Sequence, residues 1–308
     1  METWKTRLPS DWEGYWTDYE LLKGREVTPR TLLSYRDALS YLGRFLEPEV
    51  PALADLNKRQ VAAWVDNTTK TTSATTAALR LRGVAAFLNW LSNPGEDDEP
   101  FLERNPVRGV RPPKVTEEPV EVLSKDEVRK VLAACKGQDF ESRRDEALIR
   151  MLYDTGCRRG EIQSMRIEPA WLNLRDGTAM VTGKTGPRVV AFGPSTGAAL
   201  HRYLRLRQHR ASKTEQALWI GRKGGLLGNG IYQILKRRFF EAKVETRERV
   251  HVFRHTFSHE WRKAGGGIDD LIALNGWKSP AMALRYGKSA AAARARDAHH
   301  KYSPGDRL

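Results

Sequence analysis

The segment NPGEDDEPFLERNPVRGVRPPKVTEEP, residues Asn93–Pro119, divides the 308-residue chain. It contains six prolines and an acidic cluster, and it separates two stretches of helical periodicity. Because proline interrupts helices and central strands, such a segment is typical of a linker between domains. A chain of this length is expected to form about two domains. The sequence therefore predicts a helical domain over residues 1–95, a linker over 96–119 and a second domain over 120–290.

Helix-start signals precede four stretches of apolar periodicity in the first domain. In a capping box, a short polar side chain and a Glu or Gln three residues later satisfy the first backbone N–H groups of a helix. The signals are Ser10 with Glu13, Thr28 with Pro29, Asn57 with Gln60, and the Thr/Ser-rich run that begins at Lys70. The first domain is therefore predicted to consist of helices.

The second domain is predicted to be mainly helical with a small β-sheet. Ser124 and Glu127 form another capping box, and a helix over 147–154 ends before Gly156, which suits a left-handed helix end. Two strand-forming runs, TAMVTG and RVVAFG, flank the turn Lys184-Thr185-Gly186 and predict a hairpin. Helical periodicity returns at 195–210, 229–243, 252–264 and 269–274, and the alanine-rich tail, 291–308, is predicted to form a helix or an arm.

Positive charge is concentrated in the second part of the chain. The sequence has 52 basic and 38 acidic residues, a formal net charge of +14. Residues 1–116 contain 16 of each sign, whereas residues 117–308 contain 36 basic and 22 acidic residues. A solubilising charge is normally spread along the chain, so this asymmetry favours a polyanionic partner such as nucleic acid.

Other functional classes have little support in the sequence. Its two cysteines, Cys135 and Cys157, lie in no zinc-binding spacing, and no metal or cofactor is predicted. No run approaches the roughly 20 apolar residues that a membrane-spanning helix needs. The opening METWKTRLPSDWEGYW carries charges where a signal peptide is apolar, so we expect a cytoplasmic protein that does not enter a membrane.

Short motifs follow one another in a fixed order in the second domain. Residues 155–161 read T-G-x-R-x-x-E, residues 251–255 read H-x-x-R-H, and Trp277 precedes Tyr286 by nine positions. In these boxes the sequence resembles the tyrosine recombinase (phage integrase) family, in which a lysine on a hairpin lies between the first two. Lys184, within G-K-x-G, stands at that place. Several boxes in the family's order are far more specific than any single motif.

The resemblance implies a helical core-DNA-binding domain followed by a mixed α/β catalytic domain. It also implies a site-specific recombinase or integrase that cuts and rejoins DNA through a 3′-phosphotyrosine, without metal or ATP. Tyr286 is then the nucleophile, and Arg158 and Arg254 hold the phosphate under attack. Guanidinium groups suit this role because they bind phosphate oxygens bidentately and keep their charge.

Proton transfer is expected from two further residues. A phenol has a pKa of about 10, so a neighbouring group should accept its proton while another protonates the leaving oxygen. His251 suits the first role and Lys184 the second, although Arg188 and Lys223 also lie in loop-like positions. The alternative for His251 is a core histidine that has its hydrogen bonds satisfied, and for Lys184 an ordinary turn lysine.

Supporting roles are predicted for the other motif residues. The ring N–H of Trp277 is expected to donate to a phosphate oxygen. The alternative is a buried aromatic ring that packs the nucleophile's helix, and the two roles are compatible. Glu161 is expected to orient Arg158 or His251, and His255 to be structural. Cys157 is interpreted as a small buried hydrophobe. Taken singly, each arginine could be a surface residue, Arg158 a cap on the last carbonyls of the preceding helix, and Tyr286 a core residue. Their positions within the boxes outweigh these alternatives.

In the first domain, hydroxyls, backbone N–H groups and basic side chains near a helix start are expected to contact DNA phosphates. An ordinary helix cap with a polar face is the alternative. The candidates are Lys70, Thr71, Thr72, Ser73, Thr75, Thr76, Arg80 and Arg82.

The implied partner is double-stranded DNA with inverted-repeat core sites. We expect a simple recombinase without an arm-binding domain, a monomer that forms a homotetramer on two duplexes, with residues 291–308 contacting a neighbouring subunit. An accessory directionality factor and association with the nucleoid would fit this picture. The alternatives are a type IB topoisomerase and a catalytically inactive DNA-binding accessory protein.

Overall fold

The computed structural model describes residues 7–94, 99–115, 120–184, 186–247, 249–277, 279–283, 295–296, 298–300 and 302–307. The chain divides into two compact units, residues 1–117 and 118–308, and the division falls inside the predicted linker. Helices dominate both units, and every strand among the described residues lies in the second. The predicted class, mainly α with a small sheet, is confirmed.

Aromatic side chains fill the core of the first unit. Trp12, Trp16, Trp64 and Phe87 are almost completely buried there. Such rings contribute large apolar areas, which lets a small helical unit bury a stable core. A short 3-10 turn, Leu53–Asp55, accompanies the helices. The helices are α1 (Ser10–Lys23), α2 (Pro29–Leu46), α3 (Lys58–Thr71) and α4 (Ala74–Ser92).

Two of the predicted helix starts in this unit are confirmed. The Thr28 hydroxyl accepts a hydrogen bond from Thr31 N, and Asn57 with Gln60 forms a complete capping box. The box predicted at Ser10 and Glu13 is wrong: α1 begins with Ser10 itself, after Pro9. Glu13 does not fold back on the helix start, because its carboxylate accepts a hydrogen bond of 2.6 Å from Arg36 Nη2 on α2.

The Thr/Ser-rich run also differs from the prediction. Lys70 and Thr71 end α3, and the cap of α4 is Ser73, whose hydroxyl accepts from Thr76 N. The hydroxyls of Thr71 and Thr72 donate to carbonyls one turn back in α3. Lys70, Thr71 and Thr72 therefore do not lie at a helix start.

Part of the predicted linker belongs to the core of the first unit. Leu102 and Val107 are buried in the same cluster as the aromatic rings, and Leu102 N donates to Leu91 O at 3.1 Å. Apolar residues between the prolines give this stretch a buried side, so residues 99–115 do not form an extended tether.

The second unit packs helices around a three-stranded antiparallel sheet of order β1-β2-β3, with a separate two-stranded ribbon of β4 and β5. Its core is lined by aliphatic and aromatic residues such as Leu148, Leu200 and Phe253. The elements are α5 (Lys125–Ala133), α6 (Phe140–Thr155), α7 (Arg159–Ser164), β1 (Leu172–Asn173), β2 (Thr178–Gly183), β3 (Gly186–Ala191), α8 (Pro194–Arg207), β4 (Ile220–Gly221), β5 (Gly224–Gly225), α9 (Gly228–Glu241), α10 (His251–Lys263) and α11 (Ile268–Asn275).

Helix α6 begins well before the predicted residue 147. Asp139 caps it by accepting from Ser142 N, and its first turns bury the charged residues Arg144 and Asp145 along with Phe140. Asp145 is fully buried and accepts hydrogen bonds from Arg144 and Arg238, each at 2.9 Å. Apolar periodicity could not reveal these turns because an ion network occupies their inward positions.

No helix in the described part of the chain combines the length and apolar character needed to cross a membrane.

Candidate active site

The T-G-x-R-x-x-E box spans the junction between α6 and α7. Gly156 ends α6 with a left-handed φ of 59°, as predicted. A Cβ at this position would lie 2.7 Å from Phe257 Cδ1, so the site requires glycine for space as well as for conformation. The turn buries Cys157 completely and places Arg158 at the N-cap of α7.

Glu161 is the central acceptor of this junction, although only 1% of it is exposed. Its carboxylate accepts hydrogen bonds from Arg158 N at 2.7 Å, Arg158 Nη1 at 2.9 Å and Arg188 Nη2 at 2.9 Å. Burial alone would raise the pKa of Glu161, but the hydrogen bonds and charges of the two arginines outweigh it and lower the pKa below its ordinary value. Glu161 is therefore an ionised group that orients Arg158.

Arg188 is a member of this cluster that the sequence indicated only as a rival to Lys184. It lies on β3, where it is the single charged side chain in an apolar strand. Besides Glu161, it donates to the carbonyl oxygen of Leu274 at the end of α11. A largely buried guanidinium needs a counter-charge, and the single charge in this otherwise apolar strand was the available signal for Arg188.

The predicted hairpin is confirmed, and it holds Lys184 at its tip. Gly183 pairs with Gly186, so β3 begins two residues earlier than predicted. A Cβ at Gly183 would lie 3.0 Å from Glu161 Cγ, which shows how closely the strand end approaches the carboxylate. Lys184 itself is exposed. The end of the hairpin thus lies beside Glu161, whereas Lys184 at its tip faces solvent.

Arg254 joins three elements of the second unit. It lies on α10, is 2% exposed, and donates to Gly156 O at 2.9 Å and to Asn275 O at 2.7 Å. Arg158 Nη1 approaches the same Asn275 carbonyl at 3.4 Å. The guanidinium carbon of Arg254 lies 5.1 Å from the ring centroid of Trp277. The structure therefore brings Arg158, Arg254 and Trp277 together, as the motif order predicts.

His251 is the first residue of α10 and is exposed. It lines a cleft of about 410 Å³ together with Arg158, Arg159 and Tyr232. His255 lies one helical turn further along, with Nδ1 3.2 Å from Glu121 O, a contact that ties α10 to the start of the unit. His251 is thus available to a ligand in the cleft, while His255 makes a structural contact.

The predicted nucleophile, Tyr286, lies outside the described residues. A helix begins at Pro280, as the Ser279-Pro280 pair predicts, and is described as far as Ala283. Trp277 and Ala283 are buried together with Leu271 in a small cluster of their own. Packing is therefore one role of Trp277, and it supports the start of the segment that leads to Tyr286.

The first-unit candidates do not form one helix start. Ser73, Thr75 and Thr76 lie at the start of α4, and Lys70, Thr71 and Thr72 at the end of α3. The Arg80 guanidinium carbon lies 3.5 Å from the ring centroid of Tyr41, so this side chain is held on an aromatic face. Arg82 is exposed and lines a cavity of about 520 Å³ that Pro112 and Pro113 also border.

Comparison with known proteins matches both units. A family model described as the phage integrase family matches residues 121–293, and one described as the phage integrase N-terminal SAM-like domain matches residues 15–95. Tyrosine recombinase XerC of Pseudomonas syringae pv. syringae (strain B728a) is 27% identical over 247 residues, 76% of this chain and 77% of the relative.

Solved structures share the fold at low sequence identity. The XerH site-specific recombinase bound to palindromic difH substrate, a post-cleavage complex, aligns with a TM-score of 0.74 and 16% identity over 90% of this chain and 81% of the other. A lambda integrase tetramer bound to a Holliday junction aligns with a TM-score of 0.69 and 17% identity, covering 90% of this chain and 76% of the other. The phage integrase family model spans more than half of the chain, and the prediction of a tyrosine recombinase is confirmed in fold and enzyme class. The chain therefore belongs to the phage integrase family.

Proposed function

We propose that this chain cuts and rejoins double-stranded DNA at short inverted-repeat core sites, with Tyr286 as the nucleophile. The observation that carries the proposal is the convergence of Arg158 and Arg254 on the Asn275 carbonyl, beside the cleft that His251 lines. Two guanidinium groups held in place before the substrate arrives can stabilise charge on a phosphate without reorganising.

The reaction balances without an external energy source. The Tyr286 phenol oxygen attacks phosphorus, the bond from phosphorus to the 5′-oxygen breaks, and a 3′-phosphotyrosine and a free 5′-hydroxyl result. His251 accepts the phenolic proton, and Lys184 donates a proton to the departing 5′-oxygen. Religation is the reverse: the 5′-hydroxyl attacks the phosphotyrosine and Tyr286 leaves. One phosphoester replaces another in each step, so neither ATP nor an oxidant is needed.

The remaining motif residues act around these groups. Arg158 and Arg254 bind the non-bridging oxygens, and the Trp277 ring N–H donates to one of them. Glu161 holds Arg158 in position through two hydrogen bonds, one to its backbone and one to its guanidinium. Arg188 anchors the hairpin that carries Lys184 to the same carboxylate.

Assembly follows from the need to exchange strands between two duplexes. We propose that the chain is a monomer without DNA and a homotetramer on two duplexes, with residues 291–308 contacting a neighbouring subunit. The XerH recombinase bound to a palindromic substrate and the lambda integrase tetramer bound to a Holliday junction support this arrangement. Recombination takes place in the cytoplasm on nucleoid DNA, and an accessory factor sets the direction of the reaction.

The first unit is proposed to hold the duplex through phosphates. The start of α4, with Ser73, Thr75 and Thr76, is the contact that the structure supports best, because a helix N-terminus and its hydroxyls attract anions. Exposed Arg82 on the same helix adds positive charge.

One experiment tests the reaction without a known target. The protein is incubated, without metal or ATP, with fragmented DNA from its source genome, then denatured, and the covalently attached DNA is captured and sequenced. We expect a discrete inverted-repeat site, attached through its 3′-phosphate and absent with Tyr286→Phe. Scattered attachment sites would indicate a topoisomerase-like activity. No attached DNA despite tight binding would contradict the proposal and favour a DNA-binding accessory protein.

Three variants test the assignments. Arg254→Ala should lose both cleavage and part of the DNA binding, whereas Tyr286→Phe should bind DNA nearly as the wild type does. Deletion of residues 291–308 should leave cleavage intact and abolish strand exchange. Full recombination by the truncated protein would contradict the role given to this segment.

A further inference from the structure

The cleft beside Arg158 and His251 contains an arginine that the reaction above does not use. Arg249 closely precedes α10 and lines the same cleft of about 410 Å³. Apart from Gly160 and Val250, the other lining residues are basic or aromatic, and no Asp or Glu is among the described residues that line it. The cleft is therefore suited to an anion along its whole length.

Arg249 is held in place by an aromatic residue of a different helix. Its Nη1 donates to the hydroxyl of Tyr232 on α9 at 2.9 Å, and its guanidinium carbon lies 5.6 Å from the Tyr232 ring centroid. A hydrogen bond and a cation-π contact together restrict where the guanidinium can point. The Tyr232 hydroxyl therefore presets the position of this positive charge before any ligand arrives.

No carboxylate of the described residues balances the charge of Arg249. No carboxylate of the described residues lies within ion-pairing distance of its guanidinium, in contrast to Arg158 and Arg188, which share Glu161. Arg249 Nε is buried and has no hydrogen-bond partner in the described part of the chain. A guanidinium has five donor hydrogens, and here a single acceptor is identified, the Tyr232 hydroxyl.

We infer that Arg249, oriented by Tyr232, binds a DNA backbone phosphate next to the one that is cleaved. The inference rests on the proposed function, in which Arg158 and His251 serve the cleaved phosphate. A cleft of this volume falls within the range of roughly 300–1,000 Å³ that accommodates ligands larger than a single phosphate. The neighbouring phosphate of the same strand is the next anion available, and a bidentate guanidinium is well matched to it. Arg249 is therefore a positioning residue that sets the register of the strand relative to Tyr286.

The salt dependence of DNA binding tests this contact without requiring cleavage. Each phosphate contact contributes about 0.9 to the slope of log affinity against log salt for duplex DNA. With a mixed-sequence duplex as the probe, and Tyr286→Phe as the background, Arg249→Gln should lower that slope by about 0.9. Between about 50 and 200 mM salt, the affinity of the parent protein should fall about 3.5-fold more than that of the Arg249→Gln variant.

Matched variants distinguish an effect of the lost charge from an effect on the folded structure. Arg249→Lys keeps the charge and should keep the slope. Arg129→Gln, at an exposed position of α5, removes an equal charge elsewhere and should leave the slope unchanged. Tyr232→Phe should weaken DNA binding when the variants are compared at the same salt concentration. The slope should stay near that of the parent protein. An unchanged slope in Arg249→Gln, or equal losses in the Gln and Lys variants, would overturn the inference.

Uncharged replacements for single phosphates identify the phosphate that Arg249 contacts. In the site recovered by covalent capture, single methylphosphonates replace the phosphates that flank the cleavage position. At one flanking position the methylphosphonate and Arg249→Gln should be non-additive, the pair weakening binding no more than either change alone. Additive effects at every position would overturn the inference even if the chain cleaves DNA. A failure of covalent capture would leave the salt-slope result standing, so the two proposals fail separately.

Discussion

Arg188 on β3 donates to both carboxylate oxygens of Glu161 on α7, from Nη2 at 2.9 Å and from Nε at 3.4 Å. Arg158 donates to the same two oxygens from its backbone and its guanidinium. One buried carboxylate therefore links the box that contains Arg158 with the hairpin that carries Lys184. Arg158, proposed to bind the phosphate, and Lys184, proposed to protonate the leaving oxygen, thus share a single structural anchor.

Replacing Glu161 by Gln should destabilise the protein and slow cleavage together. Arg188 would keep its buried charge without a counter-charge, and removing one partner of a buried ion pair costs about 3–5 kcal/mol. The measurement is urea unfolding of the wild type and of Glu161→Gln. Glu168→Gln is the matched control, since Glu168 pairs with Arg166 at 3.5 Å in an exposed position and should change the free energy of unfolding by less than ~0.5 kcal/mol. Equal effects of the two substitutions would contradict the anchoring role.

The contribution of Glu161 to stability should depend on pH in one direction. Its pKa is lowered in the folded state, so the unfolded state binds its proton first as the pH falls. The stabilisation is fully present above the ordinary glutamate pKa of about 4.3 and is lost as the pH falls through the folded pKa. The difference in unfolding free energy between the wild type and Glu161→Gln should be constant between about pH 7 and 5 and shrink below about pH 4. A difference that grows in acid would contradict this assignment.

Lys184→Ala should slow DNA cleavage by roughly 10²–10⁴-fold, the usual contribution of a general acid. The defect should largely disappear on DNA whose 5′-bridging oxygen at the cleavage position is sulfur. A thiol has a pKa of about 8.5, so the thiolate leaves without being protonated. Lys223→Ala is the control, because Lys223 is also exposed and lies in the turn between β4 and β5. Rescue by sulfur in the Lys223 variant instead of the Lys184 variant would reassign the acid.

Gly156→Ala should destabilise the second unit more than Gly265→Ala does. Both glycines have left-handed φ angles, 59° and 88°, so both substitutions carry the backbone penalty of roughly 1–2 kcal/mol. Only at Gly156 would the new methyl meet a neighbour, 2.7 Å from Phe257 Cδ1. Overpacking typically adds about 1–3 kcal/mol, and thermal unfolding of the two variants measures the difference. Equal losses would show that Phe257 moves aside without cost.

Local sequence signals predicted the parts of the site that depend on near neighbours. The Gly156 helix end, the capping boxes at Asn57 and Ser124 and the hairpin beneath Lys184 each involve residues within a few positions of one another. The start of α6 escaped prediction because Arg144 and Asp145 occupy inward positions where apolar residues were expected. The capping box at Ser10 was wrong because Glu13 pairs with Arg36 of another helix.

The sequence by itself determined the order of the motifs, the helical character of both units and the residue types that the chemistry needs. Tertiary structure alone decided that Arg188 shares Glu161, that Arg158 and Arg254 meet at the Asn275 carbonyl, and that Tyr232 holds Arg249. The physical reason lies in the hydrogen-bond acceptors, which are a carboxylate, a backbone carbonyl and a tyrosine hydroxyl. A backbone carbonyl is present at every residue, and a carboxylate or a hydroxyl accepts from any donor that the fold brings near, so the sequence does not indicate which donor each acceptor will bind.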